Sequence, residues 1–115
     1  MRGAWGEQAA ADYLQRKGYE ILDRNYRTRW GELDIVAAYG RYLVFVEVKT
    51  RSSQRFAAAR EAVNQSKQNR LIRTAEQWMQ EHHTLLQPRI DVIEVYGAEG
   101  GPAKAIYHLE NAFDA

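Results

Sequence analysis

A chain of 115 residues, 45% hydrophobic and 27% charged, suits one domain, here 1–115, built around a single core. With no cysteine, disulfides, thiolate catalysis and Cys-based zinc sites are excluded. The start, Met1 to Trp5, carries no apolar run and no stretch reaches the ~18 apolar residues of a membrane span, so the expected location is the cytoplasm. A net charge of +1 does not by itself point to nucleic acid.

Residues 4 to 17 read as a helix ended by Gly18, a residue suited to the left-handed position after a helix C-terminus. Ala10, Ala11 and Leu14 form its inward stripe, with Tyr13 beside it. Glu7 precedes these by three, four and seven residues and so shares the stripe. A carboxylate there needs a partner; the competing reading places Glu7 in the first turn, where the helix dipole favours negative charge. Tyr19 to Tyr26 reads as an outer strand. Arg27-Thr28-Arg29-Trp30 then bridges to Gly31: two arginines beside an aromatic could meet a nucleic-acid backbone and a base, or Trp30 could pack under the sheet edge.

Gly31 to Arg51 carries the strongest pattern. Gly-Glu-Leu-Asp-Ile-Val and Leu-Val-Phe-Val-Glu-Val-Lys-Thr-Arg are both strand-like, rich in β-branched and aromatic residues. Gly40-Arg41 suits a two-residue hairpin loop with Gly first. That loop sets the register: partners sum to 81, so Asp34 lies opposite Glu47 and Glu32 opposite Lys49. Alternation sends Glu32, Asp34, Glu47 and Lys49 to one face, and Leu33, Ile35, Val44, Val46 and Val48 to the other. Val36 and Phe45 share the charged face, so it is not a plain solvated surface. Two carboxylates directly opposite have Cβ atoms ~5 Å apart and repel. A divalent cation held by oxygen ligands resolves the repulsion, because Mg²⁺ is commonly bound by one or two carboxylates plus substrate phosphates. Lys49 is placed to meet such a phosphate.

Ser52 to Phe56 reads as a polar loop beside this site, of the kind that orders around substrate. A long amphipathic helix is expected from about Arg60 to His82, with Val63, Leu71, Ala75, Trp78 and Met79 inward. Lys67 and Arg70 share one face, with Arg73 beside them; Gln65, Lys67 and Gln68 lie near the helix start, where amides and cations can meet an anion. His82, His83 and His108 show no ligand spacing, and His82-His83 suits a helix C-terminus. Pro88 marks the break before a strand from Arg89 to Tyr96. A Gly-rich turn then leads to a last strand, Lys104 to Leu109. Asp91 alternates with Ile90 and Val92; its simplest role is a satisfied structural carboxylate.

Positive charge gathers around the hairpin: eleven Lys/Arg against four acids from Arg24 to Arg73, and one lysine against five acids from Ile90 onward. A phosphodiester-binding surface requires such a bias.

Gly-Glu-Leu-Asp-Ile-Val followed by Phe-Val-Glu-Val-Lys-Thr-Arg resembles the PD-(D/E)xK nuclease motif, with Asp34 as the first acid and Glu47-Val48-Lys49 as the second half. More closely, the chain resembles the YraN-like family of small bacterial proteins, related in fold to archaeal Holliday junction resolvases. The likeness runs through Gly6-Glu7, Gly18-Tyr19, Asn25-Tyr26-Arg27, Ala62-Val63, Lys67, Arg70-Leu71 and Ile90-Asp91-Val92. It implies a restriction-endonuclease-like α/β core, a central mixed sheet of about five strands flanked by helices. It also implies that Glu7, as the acid of the first helix, joins Asp34 and Glu47 around Mg²⁺ or Mn²⁺.

The resulting expectation is a divalent-metal-dependent DNA endonuclease acting on branched or junction DNA. Asp34, Glu47 and Lys49 would be catalytic; Arg27, Arg29, Arg51, Lys67, Gln68 and Arg70 would contact nucleic acid. Resolvase-like action needs two sites, hence a homodimer. The alternatives are a non-catalytic nucleic-acid-binding module of the same fold, or an interaction partner in a DNA-processing complex.

Overall fold

The computed structural model describes residues 2–51, 64–98 and 100–113. The order is α1 (Arg2–Arg16), β1 (Glu20–Thr28), β2 (Gly31–Tyr39), β3 (Tyr42–Arg51), α2 (Gln65–His82), β4 (Gln87–Tyr96) and β5 (Ala105–Leu109). The five strands lie in chain order across one mixed sheet; β3 and β4 run parallel and every other neighbour antiparallel. This is the expected α/β architecture, a five-stranded sheet flanked by two helices and compatible with a restriction-endonuclease-like core. The expected loop Ser52 to Phe56, Arg60 and the core candidate Val63 lie outside the described residues. Among the described residues, no helix is long and apolar enough to cross a membrane.

α1 closes as its sequence dictates, with Gly18 at φ +96° and Tyr19 N–H donating to the Leu14 carbonyl at 2.9 Å. Its stripe of Ala10, Ala11 and Leu14 packs on Ile35, Ala37, Val44, Val46, Ile93 and Val95, one face of the sheet. α2 covers the other face: Leu71, Ala75 and Trp78 pack on Val36, Leu43, Phe45 and Ile90. α2 begins at Gln65, not near Arg60, because Asn64 is its N-cap. Asn64 has extended backbone, and its side-chain oxygen accepts from Lys67 N–H at 2.9 Å, satisfying a donor the helix leaves open. Pro88 is the second residue of β4 rather than the break before it. It is tolerated because β5 pairs only from Val92 onward, so that stretch of β4 has no ladder on its outer side.

The hairpin register is the one the two-residue loop dictates: Tyr39 pairs Tyr42, and the pairing runs to Ile35 with Val46. Gly40 has φ +58°, as the first central position of such a loop requires. One expectation fails. Leu33 packs with Val36, Phe45 and Leu71 on the α2 side, not with Ile35 on the α1 side. The alternation slips at Asp34, opposite Asn25, whose φ is +55°. A left-handed residue in β1 turns the strand locally, and asparagine tolerates that conformation better than most.

Candidate active site at the strand fork

The β2–β3 ladder stops one pair short of Asp34 and Glu47. Beyond it, Gly31 to Leu33 stay with β1, while Glu47 to Arg51 stay with β4. Each strand keeps its outer partner as the sheet twists, so the inner pair divides. The two acids stand at that fork, each only 7% exposed. Asp34 Oδ2 accepts from the Val48 backbone N–H at 2.7 Å, which satisfies an amide that the divided ladder would leave open.

Glu47 faces α2. Its Oε2 lies 2.9 Å from Lys67 Nζ and 3.9 Å from Lys49 Nζ. That oxygen is sealed from solvent, and the Lys67 ammonium is its close counter-charge. A cleft of about 270 Å³ opens over the pair, walled by Trp30, Glu32, Lys67, Arg70 and Leu71.

Asp34 is also reached from the α1 side. Glu7 is within hydrogen-bonding reach of both Asp34 and Asn25. α1 starts at Arg2, so Glu7 is not in its first turn, and the dipole reading of this residue falls away. Gly6 explains the approach: a Cβ there would overlap Thr50 Oγ1, so only glycine lets α1 sit this close to β3. Glycine inside a helix costs about 1 kcal/mol relative to alanine; here the cost places Glu7 against Asp34.

Proton affinities follow from this crowding. Burial, then the hydrogen bond and charge of Glu47, push the Asp34 carboxyl from 3.8 up to about 8, against the opposing pull of the Val48 N–H. Burial and the Glu32 charge raise Glu7. Burial, then Lys67, lower Lys49, while Glu47 pulls it back. Burial pulls Lys67 down too, but its contact with Glu47 outweighs that and holds it up. The cluster therefore holds a carboxyl that keeps its proton near neutrality and a lysine readier than usual to give one up.

Among the expected nucleic-acid contacts, Lys67 is engaged inside the site with Glu47, and Arg70 lines the cleft. Arg27 forms an exposed ion pair with Glu32 at 2.8 Å. Arg29 lies over the Trp30 ring, 4.7 Å from its centroid. Arg51 ends β3 half-buried, in register with Tyr96, and Gln68 is half-buried on α2. Trp30 is half-buried at the cleft and also contacts Arg73. Among the described residues, no three Asp, Glu or His side chains form a ready metal-ligand group.

Asp91 is on the α1 side, away from the fork. It is fully buried and accepts from Arg89 at 3.0 and 2.9 Å and from the Asn111 N–H at 3.0 Å, with His108 Nε2 at 2.6 Å. These partners hold its carboxyl below the usual range despite burial; it is the satisfied structural acid its pattern suggested. Sequence reasoning passed over Glu94, in register with Lys49, buried and accepting from Tyr96 O–H at 3.0 Å. Its signal was available, since Glu94 is three residues from Asp91 and must take the opposite face.

Comparison with known proteins bears out the family resemblance. The uncharacterised protein family UPF0102 matches residues 6–95. A UPF0102 protein of Syntrophotalea carbinolica is 48% identical over 113 residues, covering 97% of this chain and 90% of that protein. One from Alkaliphilus oremlandii is 49% identical over 114 residues, covering 96% of each. One from Caldanaerobacter subterraneus is 42% identical over 113 residues, covering 96% of this chain and 93% of its own length. The family match includes Gly6, Glu7, Asp34, Glu47, Lys49 and Lys67, the residues that build the fork, and the chain belongs to UPF0102, the YraN-like family.

Proposed function

We propose that this protein is a divalent-metal-dependent endonuclease of branched or structured DNA, hydrolysing a phosphodiester through Asp34, Glu47 and Lys49. The observation that carries the reading is the meeting of two buried carboxylates at the strand fork, with lysines at 2.9 and 3.9 Å from Glu47 Oε2. A folded domain crowds two buried carboxyls this way at a cost, met without metal by the Asp34 proton and the Lys67 ammonium, and a cation that takes their place is the use we infer for it. The donors fit Mg²⁺ or Mn²⁺: all are carboxylate oxygens, and one is sealed from solvent. Asp34 and Glu47 would hold the ion, with Glu7 directly or through water, and the ion would supply charge neutralisation and an acidified water.

The chain's own groups do the rest. Lys49, with its lowered proton affinity, orients the attacking water or meets charge developing on the phosphate. Lys67, on its flexible stem, can leave Glu47 for a phosphate oxygen. Arg70 lines the approach to the carboxylates. Cutting both strands of a junction calls for a pair of these sites, hence a homodimer.

The Lys67 contact also favours a second reading, in which an ammonium serves as the permanent counter-ion of Glu47 and the fold binds nucleic acid without cutting. Cleavage of linear, flapped and four-way DNA with Mg²⁺ or Mn²⁺ separates the two. The nuclease reading expects metal-dependent cutting by the parent and none by Asp34→Asn. Binding without cutting on every substrate returns the second reading.

A further inference from the structure

Lys67, Arg70 and Arg73 follow one another at intervals of three along α2, and they lead from Glu47, along the cleft wall, to the indole of Trp30. At 1.5 Å per residue they span about 9 Å of helix axis. At Trp30 two cations converge from different elements: Arg29 from the β1–β2 turn, 4.7 Å from the ring centroid, and Arg73 from α2, 4.6 Å from it. Among the described residues, Arg29, Arg70 and Arg73 have no carboxylate partner, whereas Arg27, near the end of β1, is neutralised by Glu32.

The turn that carries the ring is tied down. The Trp30 backbone N–H donates to Thr28 Oγ1 at 3.0 Å, and Thr28 Oγ1 lies 3.4 Å from Thr74 Oγ1. Thr74 is fully buried and donates to the Arg70 carbonyl at 2.7 Å. The turn is thereby tied to the helix, and the indole between them meets both guanidinium groups. Cation–π contact leaves the N–H edges of a guanidinium free to donate to an anion.

We propose that Trp30 is a positioning residue whose indole presents Arg29 and Arg73 as a two-pronged anchor for a backbone phosphate flanking the one at the Asp34–Glu47 fork. The anchor deepens the nuclease reading and rests on it for the identity of the strand. One DNA strand carries a phosphate per roughly 3.4 Å of helix axis, so the row from Lys67 to Arg73 reaches about two phosphates beyond the fork.

The test is fluorescence anisotropy of a labelled flap duplex in EDTA across a salt series, with melting temperatures measured alongside. Arg29→Ala and Arg73→Ala should each flatten the salt slope by about 0.9. Trp30→Leu should weaken low-salt binding roughly threefold to tenfold, the effect of freeing two long side chains, and Trp30→Phe, which keeps a cation-binding ring, should restore most of it. No binding by the parent, or equal binding by the Leu, Phe and parent proteins, overturns the anchor. Cleavage in Mn²⁺ is scored separately. A parent that shows this binding pattern and never cuts supports the anchor and sinks the nuclease reading; a parent that cuts while Trp30→Leu binds unchanged sinks the anchor alone.

Discussion

Replacing Asp34 by asparagine should stabilise the metal-free protein, by more the higher the pH. The amide keeps the shape of the acid: its oxygen can still accept the Val48 N–H that Asp34 Oδ2 takes at 2.7 Å, and its NH₂ can donate to Glu47 as the protonated acid does. What it removes is the charge. The parent carboxyl binds its proton up to about pH 8 when folded, against 3.8 for an ordinary aspartate. A folded-state value raised in this way gives stability that is whole below pH 3.8 and is lost as pH climbs through 8. Each tenfold step in proton affinity is worth about 1.4 kcal/mol, so the ceiling of that loss is about 6 kcal/mol by pH 9. Water admitted to the fork and an effective dielectric near 20 would bring it to about 2 to 3 kcal/mol. By pH 7 about three quarters of the loss is already present, because the unfolded carboxyl is ionised while the folded one must still hold its proton. Urea unfolding of both proteins in EDTA at about pH 5, 7 and 9 measures it, with m-values compared to confirm that the unfolded states match. A stability difference that stays constant across the three pH values, or moves against the asparagine variant as pH rises, refutes the reasoning.

Asp91→Ala should cost about 3 to 5 kcal/mol in the same assay, because it strands the buried Arg89 guanidinium and the Asn111 N–H; a loss below about 1 kcal/mol would mean the network is replaceable. Gly6→Ala, ordinarily stabilising in a helix by about 1 kcal/mol, should instead destabilise by about 1 to 3 kcal/mol, since its Cβ meets Thr50 Oγ1. Adding Thr50→Ala should recover most of that loss, and a Gly6→Ala protein as stable as the parent would contradict the close approach. Lys67→Ala should lower the metal-free melting temperature and enlarge the rise on adding Mn²⁺, because the Glu47 oxygen then has no ammonium at 2.9 Å; equal rises in the two proteins would show that Lys67 and the ion do not compete.

Local patterns were legible because their causes are local. Gly40-Arg41 dictates a loop, the loop dictates the register, and the register brings Asp34 and Glu47 together. Ala10, Ala11 and Leu14 mark the inner face of α1 by spacing alone. The slip at Leu33 escaped because alternation assumes a regular strand, and only the left-handed Asn25 across the ladder breaks it. The fork escaped too, since where β2 leaves β3 depends on β1 and β4 holding their own partners. Lys67 read as a surface cation because nothing in the chain near it announces Glu47, twenty residues away. Its engagement is a property of how α2 lies across the sheet. Arg73 and Trp30 were each noticed singly; their meeting depends on Thr28 and Thr74 joining turn to helix.

The central claim is that Asp34 and Glu47 share a divalent cation. It is tested most directly by titrating Mn²⁺ into the parent and Asp34→Asn proteins, using calorimetry in buffers of different ionisation heat to count protons. A carboxyl titrating at about 8 is about nine-tenths protonated at pH 7, so an ion bound by that carboxylate must displace the proton. The account predicts about one proton released per bound Mn²⁺ near pH 7 and almost none near pH 9, with binding lost in Asp34→Asn. Mn²⁺ that binds both proteins alike, binds the parent at pH 7 without releasing a proton, or fails to bind the parent would contradict it.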